Sequence, residues 1–187
     1  MKKICYVHGA GASERSFVWL QKQLPSHAPY YFTHSVKDSL SASIVGLSNF
    51  VIENDITMII GHSLGGVMAA ACADCPSIEK IVSLCSPFGG MRYAEYMYMY
   101  SREQLFYDMR QYGPILSAIR AKSITKPHLA IIGTKSLPFT SEPNDGVVTV
   151  VSQTALYGPH YEIIALNHFE VLLSKEVAGF ITSFMKE

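Results

Sequence analysis

"ITMIIGHSLGGVMAAA", residues 56–71, starts as an apolar run with β-branched isoleucines and ends as an alanine-rich run. The first half favours a strand and the second a helix. Between them Gly61-His62-Ser63-Leu64-Gly65-Gly66 must turn one into the other within a few residues. A serine in so tight a turn either caps the helix that follows or is there because the turn exposes its hydroxyl. The surrounding sequence decides between these.

Short apolar runs like the first half recur at "KICYV" (3–7), "YYFTHSV" (30–36), "ITMII" (56–60), "KIVSLC" (80–85), "HLAIIG" (128–133) and "YEIIAL" (161–166). Nearly continuous hydrophobicity over four to eight residues fits parallel strands covered on both faces. Helices are expected between them over 14–24, 39–53, 63–74, 147–157 and 169–185. Strand and helix in alternation give an α/β doubly wound, mostly parallel six-stranded sheet. At 187 residues without repeat or linker, a single domain spanning 1–187 is expected.

Hydrophobic residues make up 49% and charged ones 16%, with 15 basic and 15 acidic side chains. A balanced charge offers no field for nucleic acid, so no nucleic-acid partner is expected. The start "MKKICYVHGAG" is too short in apolar residues for a secretory signal, and no run reaches the ~20 residues of a transmembrane segment. A cytoplasmic location is therefore expected. Cys5 and Cys85 lie in strand-like runs, and the Cys72-x-x-Cys75 pair has no second pair to complete a zinc site. All four read as buried core thiols.

In open α/β sheets ligands bind at the carboxyl ends of the strands. His8, Ser63, Ser86, Asp145 and His168 follow strands, whereas Asp55, His128 and His160 precede them and are set aside. "GHSLG" matches G-x-S-x-G, the nucleophile elbow, a pattern met by chance in roughly one chain in twenty of this length. Its setting between a strand and an alanine-rich helix makes it far more specific. A serine nucleophile needs a base, and the base an orienting acid. His168 in "ALNHFEVLL" is the expected base and Asp145 in "SEPNDGVVTV" the expected acid, with Glu142 its nearest rival. They lie 82 and 23 residues apart in the order Ser, Asp, His. Backbone N–H groups of Ala10, in "HGAGAS" (8–13), and of Leu64 are the expected oxyanion donors. His8 is expected to order that loop, and His62 to point away from the substrate.

Through "HGAGAS", "GHSLGG", "SLCSPFGG", "NDGVV" and "NHFEVL" the sequence resembles the α/β-hydrolase superfamily, particularly its small bacterial lipases and esterases. The resemblance implies a minimal form of that fold with sheet order 2-1-3-4-5-6, lacking the leading antiparallel strands of larger members. It also implies a Ser63, Asp145, His168 triad acting with no metal and no organic cofactor. Residues 88–124 stand where such enzymes insert a lid. Met91 to Tyr112 carries four of the eight methionines and six of the eleven tyrosines, side chains that adapt to irregular apolar ligands. Tyr93, Tyr96, Met97 and Tyr100 fall at helical spacing, as substrate-binding residues or as the packed face of a plain amphipathic helix.

These features point to a serine hydrolase of carboxylic esters, with a small-molecule or lipid-like acyl ester as substrate. A thioester would pass through a similar tetrahedral intermediate. A non-catalytic ligand-binding version of the same scaffold is the competing class, and the presence of every reactive position weighs against it.

Overall fold

A computed structural model describes residues 1–136 and 142–187; Ser141, which opens the acid-bearing stretch, lies outside them. Six strands form one all-parallel sheet in the order β2-β1-β3-β4-β5-β6. They are β1 (Lys3–Val7), β2 (Ala28–Phe32), β3 (Met58–His62), β4 (Lys80–Leu84), β5 (His128–Gly133) and β6 (His160–Ile164). This is the order and parallel arrangement that the resemblance implies.

The side-chain period of two divides each inner strand between two cores. Cys5, Val7, Ile59 and Ile81 face one layer with α2 (Leu40–Glu53) and α3 (Leu64–Ala71). Ile4, Tyr6, Met58, Ile60, Val82 and Leu84 face the other, with α1 (Val18–Gln23) and α8 (Lys175–Lys186). Burial on both faces is why these strands read as unbroken apolar runs. All four cysteines are buried free thiols.

Between β4 and β5 the chain forms three short helices, α4 (Ala94–Ser101), α5 (Gln104–Asp108) and α6 (Pro114–Ala121). Buried Asp108 anchors them by accepting from Leu40 N at 2.9 Å, satisfying an N–H that α2 cannot satisfy internally. Arg120 holds the far end, donating to Phe88 O at 2.8 Å. Among the described residues no helix is long and apolar enough to cross a membrane.

Several element boundaries depart from expectation. β2 ends at Phe32, four residues before the apolar run does, and β3 extends to His62 rather than stopping at Ile60. Instead of a helix over 147–157, α7 spans only Val150–Gln153: Gly146 stands at φ 95° and Thr149 is extended, so helical backbone begins only at Val150. Its N-cap is Thr149, accepting from Ser152 N at 3.2 Å. The expected helix over 169–185 is a 3-10 turn, Glu170–Leu173, then α8, the break falling at Ser174, whose extended backbone and side chain cap α8.

Candidate active site

Ser63 joins β3 to α3 in a single residue. Its N–H continues the sheet ladder, donating to Leu84 O at 2.8 Å, while its own carbonyl already accepts from Gly66 N at 3.1 Å. Meeting both demands drives Ser63 to φ 54°, ψ −121°, a strained backbone that costs about 1–3 kcal/mol in a non-glycine residue. The helix must then pass very close to the sheet. A Cβ on Gly61 would stand 2.3 Å from the Gly65 backbone, and one on Gly65 would stand 2.0 Å from Val7 O. Ser63 Oγ makes no capping hydrogen bond to α3. The capping explanation of this serine therefore fails.

His168 lies in the turn after β6, 3% exposed, with Asp145 fully buried beside it. Nδ1 of His168 donates to Asp145 Oδ2 at 2.7 Å, and His168 N donates to Asp145 O at the same distance. Asp145 Oδ1 accepts from Val147 N at 2.8 Å and Val148 N at 2.6 Å. Burial pushes the Asp145 carboxyl up. The hydrogen bond and charge of His168, with the Val148 and Val147 amides, outweigh that and leave it below the usual carboxylate range. Glu142 instead pairs with Arg92 at 2.7 Å, both partly exposed. The structure thus brings Asp145, and not Glu142, to His168.

Buried Gln153, which no motif singles out, ties the acid-bearing loop to β5. It accepts from Gly133 N and donates to Gly133 O, each at 3.0 Å, and also donates to Val148 O at 3.1 Å. Cys85, at φ 51°, is fully buried beside Asp145 and His168. Its thiol, the Asp145 carboxylate and a His168 nitrogen lie within 4.8 Å of one another, the one such grouping of metal-ligating types among the described residues. Burial and the facing Asp145 charge push that thiol well up, so it stays protonated.

Ser63 and His168 open on one cavity of about 600 Å³, lined also by Ala10 and Leu64. Leu64 is the first residue of α3, so its N–H has no acceptor within the helix. Ala10 sits in a loop braced by His8, whose Nδ1 lies 2.8 Å from Gly9 O and whose ring stacks on His34 at 4.4 Å. The remaining walls are mostly apolar, among them Met91, Met97, Phe106 and Met109. Tyr93 and Met97, each 40% exposed, line the cavity, whereas Tyr96 and Tyr100, at 74% and 94%, face solvent and do not. Burial, then the Asp145 charge, pushes the Tyr93 phenol up to about 12. His62 is buried, but it does not point away as expected: it lines this same cavity and lies against His168.

No protein-family model matches the sequence, and no curated protein sequence does. Solved structures do match. A lipase-esterase related protein from Clostridium acetobutylicum is similar at 17% identity and TM-score 0.66, over 98% of this chain and 94% of its own. The mature form of Bacillus licheniformis lipase BlEst2 is similar at 15% identity and TM-score 0.72, over 99% and 91%. Phospholipase PlaB from Legionella pneumophila reaches TM-score 0.78 at 11% identity, this chain spanning 59% of its length. With sheet order β2-β1-β3-β4-β5-β6 and the strained serine turn after β3, the chain has an α/β-hydrolase fold.

Proposed function

We propose that this chain is a serine hydrolase that cleaves carboxylic esters of apolar, lipid-like acyl groups through an acyl-enzyme on Ser63. One observation carries the proposal: an uncapped serine held at a strained turn opens on the same apolar cavity as a histidine whose other nitrogen is bound to a buried carboxylate. The printed names of the similar structures, lipases and a phospholipase, fit the same chemistry.

The proposed steps use this geometry. Asp145 engages Nδ1 of His168 and so fixes the tautomer that leaves Nε2 free to accept a proton. Ser63 Oγ attacks the acyl carbonyl as Nε2 takes its proton, and the carbonyl oxygen gains the negative charge. The N–H groups of Ala10 and Leu64 donate to that oxygen, a stabilisation worth about 10²–10³ in turnover per donor. The ionised Asp145 stabilises the imidazolium, which then passes its proton to the leaving alkoxide. Water, deprotonated by the same nitrogen, cleaves the acyl-enzyme and returns Ser63. Met91, Met97, Phe106 and Met109 give the acyl chain an apolar wall that needs no fixed shape.

Treatment with a fluorophosphonate tests this directly. Peptide mapping should place the adduct on Ser63 and find none in Ser63→Ala. A folded wild-type protein that remains unlabelled would overturn the proposal.

A further inference from the structure

His62 is the first of the two unspecified residues of the elbow motif, one position before Ser63. Its side chain is 3% exposed and touches two other parts of the site. Nε2 lies 2.7 Å from the main-chain oxygen of His168, 106 residues further along the chain. The two imidazoles pack with centroids 4.7 Å apart and planes at 52°. On the opposite side a Cβ built on Gly9 would stand 3.4 Å from His62 Nδ1 and 3.0 Å from Ser63 Cβ. The ring is thus wedged between the loop that carries Ala10 and the loop that carries His168.

A carbonyl oxygen only accepts, so the hydrogen must sit on Nε2 of His62. Nδ1 is then an acceptor, buried and without a partner among the described residues. Burial first, and the nearby His168 second, hold the ring neutral by bringing its pKa down to about 3. His62 therefore keeps the same donor throughout the pH range in which a histidine base works.

The direction of this bond matters. The other two hydrogen bonds of His168, through N and Nδ1, both run to Asp145. They fix the base to the acid and leave its distance to the nucleophile unset. Ser63 follows β3 and His168 follows β6, with β4 and β5 between those strands. Among the described residues, the bond from His62 is the hydrogen bond that ties the His168 loop to the nucleophile strand.

Taking Ser63, Asp145 and His168 as the triad proposed above, we infer that His62 is a positioning residue: its Nε2–H pins the His168 backbone and its ring braces the imidazole at working distance from Ser63. Displacement of a reacting group by about 1 Å can cost on the order of 10²-fold in rate. The loss should therefore fall on turnover rather than on substrate binding.

Three variants test this: His62→Leu, which fills the space without a donor; His62→Gln, whose amide N–H reaches as far as Nε2; and His62→Asn, whose amide stops short. Turnover of a soluble nitrophenyl ester is measured per fluorophosphonate-reactive site, so that loss of folded protein does not count as loss of rate. His62→Leu should lower kcat by about 10- to 100-fold at nearly unchanged KM and slow labelling in step. His62→Gln should recover most of the loss and His62→Asn should not, a contrast that stands even if the leucine variant fails to fold. Wild-type kcat per site in His62→Leu, or equal impairment of the Gln and Asn variants, overturns the inference. An inactive, unlabelled wild type overturns the triad reading and this inference with it, whereas an active wild type beside an unimpaired His62→Leu overturns this inference alone.

Discussion

Two buried histidines should make this fold lose stability between neutral pH and pH 5. His128, the first residue of β5, is 4% exposed, and its Nε2 lies 2.9 Å from Ser83 Oγ. Burial brings its pKa down to about 3, and that of His62 falls to about 3 as well. In the unfolded chain both titrate near the ordinary histidine value of about 6.5. Between these limits the unfolded state binds protons that the folded state refuses. Stability is therefore intact above about pH 6.5 and declines as the pH falls toward 3. At pH 5 the difference corresponds to about 2 kcal/mol per histidine, or about 4 kcal/mol for the pair. That is a large share of a total of about 5–15 kcal/mol. His34 is also shifted down, chiefly by burial, and acts in the same direction. Asp145, already held below the usual carboxylate range, keeps its contribution until the pH falls through its folded value, below this window. Urea unfolding near pH 7 and near pH 5 measures the loss. In His128→Gln, whose amide still reaches Ser83 and does not titrate, the loss between the two pH values should be smaller by about 2 kcal/mol. Equal losses in the variant and the wild type would refute the assignment.

The remaining predictions concern the reaction. Ser63→Ala should lower ester turnover by a factor on the order of 10⁶, and near-wild-type hydrolysis by that variant would show that another residue is the nucleophile. Asp145→Asn removes the carboxylate bonded to His168 at 2.7 Å and should cost about 10⁴-fold in kcat. Glu142→Gln breaks only its partly exposed pair with Arg92, which is worth about 0–1 kcal/mol of stability, and should leave kcat nearly unchanged. The reverse ranking would move the acid to Glu142. Across nitrophenyl esters from acetate to palmitate, kcat/KM should rise beyond acetate as the chain meets Met97 and Phe106, and a preference for acetate would assign the apolar walls to packing alone.

What the sequence reveals of this site and what it hides have separate physical causes. Strand β5 runs over 128–133 as the sequence predicts, because its side chains are buried on both faces and the apolar run coincides with the paired backbone. At β3 the two diverge. The apolar run stops at Ile60, yet pairing continues through Gly61 and His62 opposite Ser83 and Leu84, since the ladder is made by backbone groups regardless of side chain. Turns stabilised by distant partners were hidden for a related reason. Asp145 accepts from two local amides as a helix N-cap would, but it is held by a histidine 23 residues away and the chain stays extended at Thr149, so α7 begins only at Val150. Helical spacing groups Tyr93, Tyr96, Met97 and Tyr100 on neighbouring turns, but it carries no information on which side meets the sheet, and Tyr96 and Tyr100 turn outward. Of the proposed triad, Ser63 and His168 were legible because each closely follows its own strand, a local property. The role inferred for His62 was not, because its partner is a carbonyl 106 residues away, brought within reach only by the return of the chain after β6. A motif can therefore propose a nucleophile from sequence, while the residue proposed to set its distance to the base emerges only from the folded chain.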